Sequence, residues 1–485
     1  MASFDELRQV RVDKLKILES AAMSAYPAET AKEFTNAEAV EKFDDLSTKT
    51  QVTLAGRVMS LRPQGAMYFF HVNDGTASFQ GLMKNDEVSA ETFDLFGQTV
   101  DIGDFVEMTG PLFVTKRGEK TVAVKSWKML AKSLRPLPEK YHGIQDEEEK
   151  FRRRYLDIMF NPEVKEMFVK RSKFWNTIRT FLLERGYLEV ETPIIENMTG
   201  GAEAKPFLTH HNALNQDVFL RISPELWLKR LMIAGYPKVF EIGRVFRNEG
   251  MDAEHAQDYT HFEFYEAYSD YQKGMKMVEE LYKVIADKVF GTRQFKIKDF
   301  NIDLDQKWEL FDYPAIIKDK TGIDIKKVDL KTAEMKLRDL KVEYDSKGLN
   351  LNRAIDNLWK YCRKQIAGPG FLVNVPVTIE PLAKRNPADP DTVERFQVIL
   401  AGSEMGKGFS ELNDPIDQAG RFADQAKLRE GGDDEAQMND TDYVEAMEYG
   451  MPPTFGFGVS ERLFSFFMDK PIRETQIFPL MRPKK

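Results

Sequence analysis

Cysteine occurs once in the chain, at Cys362. A lone thiol excludes an internal disulfide framework and any cysteine-built zinc site. Histidine is scarce as well, with six in 485 residues. His210 and His211 are adjacent, but no further ligand stands at metal spacing from them. No apolar run reaches the length that spans a bilayer, and the N-terminus, Met1-Ala-Ser-Phe-Asp-Glu-Leu-Arg8, is charged from the start. The Walker pattern G-x-x-x-x-G-K-[ST] is missing, and Gly456 with Gly458 makes no Rossmann fingerprint. No Ser-His-Asp or Cys-His constellation can be assembled. Excess positive charge is lacking too: 78 acidic residues face 69 basic ones, for a formal charge of −9. That excludes a wholly basic nucleic-acid coat but not a local basic patch. A soluble, cytoplasmic protein is expected.

What is present divides the chain. Residues 5–25 read as a helix, with Leu7, Val10, Leu15 and Leu18 among Arg8, Arg11, Lys14 and Lys16. Those basic residues suit a solvated face or phosphate contacts equally. Thr35-Asn-Ala-Glu38 is a capping box opening a second helix. From Val52 the period becomes that of strands: 52–58, 67–72, 77–82, 105–110 and 121–124, separated by turns such as Asn73-Asp-Gly75. Five short strands suit a small barrel, with the OB-fold as the commonest candidate. Tyr68, Phe69 and Phe70 stand in a row, so alternation turns at least one ring outward, as a base-stacking surface requires. The domains expected are a helical extension (1–48), the barrel (49–135), a charged linker (136–160) and an α+β domain (161–485). A charged helical stretch at about 272–368 reads as an insertion with little chemistry.

The α+β domain is organised around residues 239–265. Phe240, Ile242 and Phe246 share one face of a strand, and Glu241, Arg247 and Glu249 the other. After a polar loop from Gly250 to Asp258, Tyr259, His261, Glu263 and Tyr265 share a face of a second strand. By pattern alone this charged face fits a solvated surface. Elsewhere stand Arg462 and the carboxylates Glu225, Glu404 and Glu411. Arginine forks suit phosphate oxygens, and carboxylates beside phosphates hold Mg²⁺. Such a set, with no nucleophile, suits nucleotidyl transfer by positioning and charge neutralisation.

Phe240-Glu-Ile-Gly-Arg-Val-Phe-Arg-Asn-Glu-Gly250 resembles motif 2 of the class II aminoacyl-tRNA synthetases. Phe181 to Pro193 resembles motif 1, and Phe455 to Arg462 motif 3. Arg154-Tyr-Leu-Asp157, Leu220 to Leu231, Gly408-Phe-Ser-Glu-Leu-Asn-Asp414 and the ending Phe478 to Pro483 are similar to the lysyl-tRNA synthetases of bacterial type. Ile222-Ser-Pro-Glu225 stands where aspartyl and asparaginyl relatives carry Gln-Ser-Pro-Gln. The resemblance implies an N-terminal OB-fold anticodon-binding barrel and a class II catalytic domain, an antiparallel sheet flanked by helices. It implies ligation of L-lysine to tRNA(Lys) through a lysyl-adenylate, with ATP as substrate, one to three Mg²⁺ ions, and a homodimer built through motif 1.

It also implies roles. Arg247 holds the α-phosphate and the lysine carboxylate; Glu249, His255 and Tyr259 contact ATP; Arg462 holds the γ-phosphate. Gly201 and Glu225 receive the α-amino group. Glu263, Tyr265, Phe409 and Glu411 surround the ε-ammonium, and carboxylates are the groups an ammonium leaving water needs. Glu404 ligates Mg²⁺. Arg62, Phe69 and Gln80 face the anticodon. Three positions depart from the family. Gln397 stands where a second Mg²⁺ carboxylate is usual, Lys407 replaces an asparagine, and motif 3 is one residue short, with Ser460 near its third glycine. These departures support a second reading, a tRNA-binding or regulatory protein with a weakened catalytic domain. A third is an aspartyl- or asparaginyl-type enzyme.

Overall fold

The computed structural model describes residues 3–138, 146–250, 252, 254–345, 349–431 and 437–484. The chain forms two units, residues 1–145 and 146–485.

In the first unit the helix Phe4–Ser20 opens with a reciprocal Ser3/Glu6 capping box, and Thr35/Glu38 form a second at Asn36–Glu41, each satisfying two otherwise orphaned amides. Arg11 donates to the carbonyls of Ser133 and Ile102, and Lys14 pairs with Asp101 at 2.7 Å. These two basic groups therefore fasten the helix to the barrel. The barrel sheet has seven strands, in the order Leu112–Val114, Lys120–Ala123, Ser78–Lys84, Met67–Asn73, Val52–Pro63, Phe105–Gly110 and Ser126–Ala131. The sequence pattern missed the short Leu112–Val114 strand, the Ser126–Ala131 strand and the helix Ala90–Thr99, which Ser89 caps. Phe70, Val72, Phe79, Phe96 and Met108 form the core.

The second unit is built on an eight-stranded sheet. Its order is Glu309–Asp312, Gly370–Val373, Arg395–Leu400, Ser403–Ser410, Thr454–Ser460, Asp258–Ala267, Lys238–Phe246 and Leu188–Glu189. Pairing is antiparallel except at the two edges. On one face Phe240, Phe262, Phe264, Phe396, Phe455 and Phe457 pack with the helices Pro162–Leu183 and Tyr271–Ile285. Each fully buried phenylalanine contributes about 1.5–3 kcal/mol. The other face is left for the site.

Two expectations change here. Residues 147–160, read as linker, form the helices Glu147–Arg152 and Arg154–Phe160. Arg154 is buried there, paired with Asp157 at 2.8 Å; Gln145 and the six residues before it lie outside the described residues. The stretch read as an insertion from residue 272 begins inside the core, because Val278, Leu281, Tyr282 and Ile285 form an apolar stripe on Tyr271–Ile285. The helices Tyr313–Thr321, Leu330–Asp339 and Leu351–Arg363 follow, around a separate core holding Leu337, Leu358, Trp359 and Cys362. Lys347 and Gly348, read as a break, lie outside the described residues.

Candidate active site

The Lys238–Phe246 and Asp258–Ala267 strands pair in unbroken register from Lys238↔Glu266 to Phe246↔Asp258. Alternation then fixes the faces. Phe262 and Phe264 enter the core, and Tyr259, His261, Glu263 and Tyr265 point to the opposite side. There the helices and loops around the sheet enclose a cavity of about 790 Å³. Gly201, Glu225, Arg247, Glu249, His255, Tyr259, Glu263, Tyr265, Gln397, Glu404, Phe409 and Arg462 all line it. Residues spread over 260 positions are thus gathered at one place. The loop from Gly250 to Asp258 borders it, with Met251 and Ala253 outside the described residues.

One expected member sits outside the lining. Glu411 is buried beneath the cavity, where Lys229 pairs with its Oε2 at 2.5 Å. Glu241, grouped with Arg247 from alternation, is structural. It pairs with Arg221 at 2.6 Å and accepts from the Thr192 hydroxyl and amide. It lies directly opposite Glu263 on the same sheet face, but Arg221 and Thr192 already engage its carboxylate.

The floor is electrostatically crowded. Glu263 accepts hydrogen bonds from Ser223 Oγ at 2.7 Å and Tyr265 Oη at 2.8 Å, and His261 Nε2 lies 3.1 Å away. Burial alone would raise this carboxyl, but His261, Ser223 and Tyr265 outweigh it and hold Glu263 below its ordinary value. Burial pushes Glu225 up to about 7 despite Lys229 at 2.6 Å. The floor strand Thr454–Ser460 places Gly456 opposite Tyr265 and Gly458 opposite Glu263. A methyl at 456 would overlap Glu411 Oε1 and the Tyr265 ring, so only glycine leaves this space open. The shortened motif does not disturb the register, which continues through Ser460↔His261. Ser460 Oγ then accepts the Arg462 amide at 3.3 Å, as the helix Arg462–Phe467 begins.

At the other end, the Arg247 guanidinium stands 5.6 Å from the centre of the Tyr259 ring. Arg462 pairs with Glu254, and burial lowers its pKa. His255 Nδ1 lies 2.7 Å from Asp252, whose other oxygen accepts the amides of Glu254 and His255. Glu404 accepts from the Trp359 indole at 2.7 Å. The helical segment read as chemically idle therefore supplies a wall of the site.

Lys407 donates to both oxygens of the buried Glu380, at 3.0 and 3.2 Å. Arg395 lies 3.1 Å from the same carboxylate and donates to the Gln397 amide oxygen. The donor set bears on divalent metal. Glu404 is an available carboxylate, whereas Gln397 offers a neutral oxygen already engaged by Arg395. Among the described residues no three His, Cys, Asp or Glu side chains come together as a metal cage. Glu404 is the carboxylate of this set able to join phosphate oxygens around such an ion.

Sequence reasoning passed over Lys229, Glu380, Arg395 and Trp359. Lys229 carried a readable signal, its i+4 spacing from Glu225 on one helix. Glu380 and Arg395 meet only through the fold.

In the barrel, Arg62 pairs with Phe69 across adjacent strands. Tyr68 packs against Phe93 and Phe96 and Phe70 enters the core, which leaves Phe69 on the outer face with Arg62. Gln80 is buried, its amide donating to Glu119 at 2.7 Å and accepting from Thr121 at 2.8 Å.

Comparison with known proteins agrees with this architecture. Residues 146–482 match the family model "tRNA synthetases class II (D, K and N)", and residues 52–130 match "OB-fold nucleic acid binding domain". The lysine–tRNA ligase of Thermotoga maritima is 44% identical over 99% of this chain and 97% of its own length. Those of Roseiflexus sp. (strain RS-1), at 43%, and Carboxydothermus hydrogenoformans, at 42%, are covered over 99% of both chains. With an OB-fold domain ahead of an antiparallel sheet whose charged face closes over a cavity, the chain belongs to the class II aminoacyl-tRNA synthetases of the aspartate, lysine and asparagine group.

Proposed function

We propose that the protein is a lysine–tRNA ligase. It joins L-lysine to ATP as lysyl-adenylate, releasing pyrophosphate, then transfers the lysyl group to tRNA(Lys), releasing AMP. The observation that carries this reading is the buried Glu263 carboxylate, held by Ser223 and Tyr265 at the cavity floor with Glu225 beside it. A primary ammonium entering there gains charge-assisted hydrogen bonds. An aspartate side chain would meet like charge, which costs several kcal/mol.

In this reading Arg247 neutralises the α-phosphate and the amino-acid carboxylate, Tyr259 packs beside the adenine, His255 and Glu249 contact the nucleotide, and Arg462 takes the γ-phosphate. Glu404 would hold Mg²⁺, which supplies charge neutralisation to the triphosphate. Arg62 and Phe69 receive anticodon bases. Gln80 acts there only if its two internal hydrogen bonds are exchanged for bases.

Dimerisation through the motif 1 region is supported by exposed apolar side chains at Leu188, Ile194, Ile195, Met198 and Leu208, a concentration that isolated subunits seldom leave in water. No helix among the described residues is long and apolar enough to cross a membrane. The reading of a weakened catalytic domain is disfavoured because Arg247, Glu249, Glu404 and Arg462 face one cavity.

ATP–pyrophosphate exchange tests the assignment. Exchange should depend on lysine and stay near background with aspartate or asparagine. Absence of lysine-dependent exchange refutes ligase activity, and faster exchange with either other amino acid refutes the specificity.

A further inference from the structure

Lys229 lies one turn after Glu225 on the helix Glu225–Ile233 and has no exposed side-chain surface. Its ammonium is 2.6 Å from Glu225 and 2.5 Å from Glu411, and 5.2 Å from the centre of the Phe409 ring. Glu411 Oε1 is buried without a hydrogen-bond partner. With Glu263, this floor carries three buried carboxylates. A carboxylate taken out of water without a counter-charge costs several kcal/mol, and carboxylates sharing a site resist joint ionisation.

We propose that Lys229 is a specificity-setting positioning residue: it supplies one of the three cations that let Glu225, Glu263 and Glu411 ionise together, and the two ammonium groups of lysine supply the others. This rests on the lysine-binding reading above. In the complex three negative charges meet three positive ones. A substrate with only an α-ammonium leaves one carboxylate unbalanced, so discrimination against it arises from charge count as well as from direct contact.

The electrostatics of these groups are consistent with this balance. Burial raises Glu225 to about 7 and Glu411 well above the carboxylate range, with Lys229 opposing both shifts. Burial would lower Lys229, but Glu225 and Glu411 outweigh it and keep the ammonium charged. The other groups facing this cluster are Tyr443 from the helix Thr441–Glu448, Glu263, Tyr265 and His261 from the Asp258–Ala267 strand, and Lys407 and Glu380. Lysine binding therefore expels protons from the Glu225 and Glu411 carboxyls to the buffer, as a coupled set.

Calorimetric titration of lysine into the full-length protein tests the proposal, run at pH 7 in two buffers of different ionisation enthalpy. Lys229→Met removes the charge and keeps the bulk. It should weaken lysine roughly 30-fold or more, the scale of breaking a buried charge pair, and leave ATP affinity within about twofold. Proton release per lysine bound should fall below that of the parent, because one carboxyl of the complex then lacks a counter-cation and keeps its proton. The variant Lys229→Met/Glu411→Gln removes one charge of each sign and should recover at least about tenfold of the lost affinity. Unchanged lysine affinity and proton release in Lys229→Met overturn the proposal. Parallel loss of lysine and ATP binding, with no change in proton release, also overturns it, because that is the signature of a structural lysine. Should Lys229→Met not fold, the double variant decides alone, and loss of lysine binding there with an intact fold overturns the charge count. Failure of the parent protein to bind lysine is a separate result and overturns the ligase reading itself.

Discussion

Tyr265 donates its hydroxyl to the Glu263 carboxylate at 2.8 Å, two residues along the same strand and on the same face. The pair is buried at the cavity floor, and with His261 and Ser223 the donor holds the acceptor below its ordinary value. Glu263→Gln keeps the shape and deletes the charge. Its KM for lysine in pyrophosphate exchange should rise about 30-fold or more, the equivalent of about 2 kcal/mol or more. The KM for ATP should stay within about threefold. Equal effects on both substrates would mean that Glu263 does not meet the ammonium.

Phe69 is the ring of the Tyr68–Phe70 run that turns away from the barrel core. Phe69→Ala should raise the KM for tRNA by about 10- to 100-fold, since one base–aromatic stack contributes about 1–3 kcal/mol. Lysine-dependent exchange without tRNA should be unaltered. An aminoacylation assay that shows no change in KM for tRNA would remove Phe69 from the anticodon surface.

Glu404 is the one expected metal carboxylate whose place in the cavity suits an ion carried by ATP. Glu404→Gln should raise the Mg²⁺ concentration for half-maximal exchange by about tenfold, comparable to the loss of one supporting ligand. Without ATP, calorimetry of the parent protein with Mg²⁺ should show no tight site. Tight binding in the nucleotide-free protein would contradict the single-carboxylate reading.

Glu196 gives a pH signature. Its Oε1 accepts from the Trp227 indole at 2.6 Å, and its Oε2 is buried without a partner. Burial raises its carboxyl to about 7, against the opposing effect of Trp227. The fold therefore binds this proton more tightly than the unfolded chain does. The contribution of Glu196 to stability is fully present below about pH 4.5 and falls as pH climbs towards 7. Glu196→Gln abolishes that slope. In denaturant unfolding it should match the parent near pH 4.5 and exceed it at pH 8 by at most about 3 kcal/mol. A constant difference across that range would show that Glu196 does not titrate with folding.

The hairpin and the OB barrel were legible because period-two alternation survives wherever one sheet face is buried. That rule also sent Phe240 to the apolar face and Glu263 to the charged one. It put Glu241 on the face it takes, opposite Glu263, but could not tell that Arg221 already pairs with it there. The helix Tyr271–Ile285 was mistaken for an inserted segment because its five Lys and Glu residues interrupt the apolar ones and hide the core stripe. The helix Pro415–Glu430, capped by Asp414, passed unread for the same reason. Lys407 was legible as a departure but not its consequence, because Glu380 and Arg395 reach it only after folding. The catalytic and binding roles came from family resemblance. The residue pattern supplied a charged face and left a solvated surface open.

Gly456 sets the depth of the amino-acid pocket by having no side chain. Any substitution there presses first on Tyr265 and Glu411, two of the groups proposed to receive the ammonium of the substrate. The pocket therefore has no gradual evolutionary route to a shorter substrate through this strand. A first step that shortens the cavity also dismantles the apparatus that recognises its occupant. New amino-acid preferences would have to arise elsewhere in the lining, on the loop that carries Gly201 and the helix that opens at Glu225.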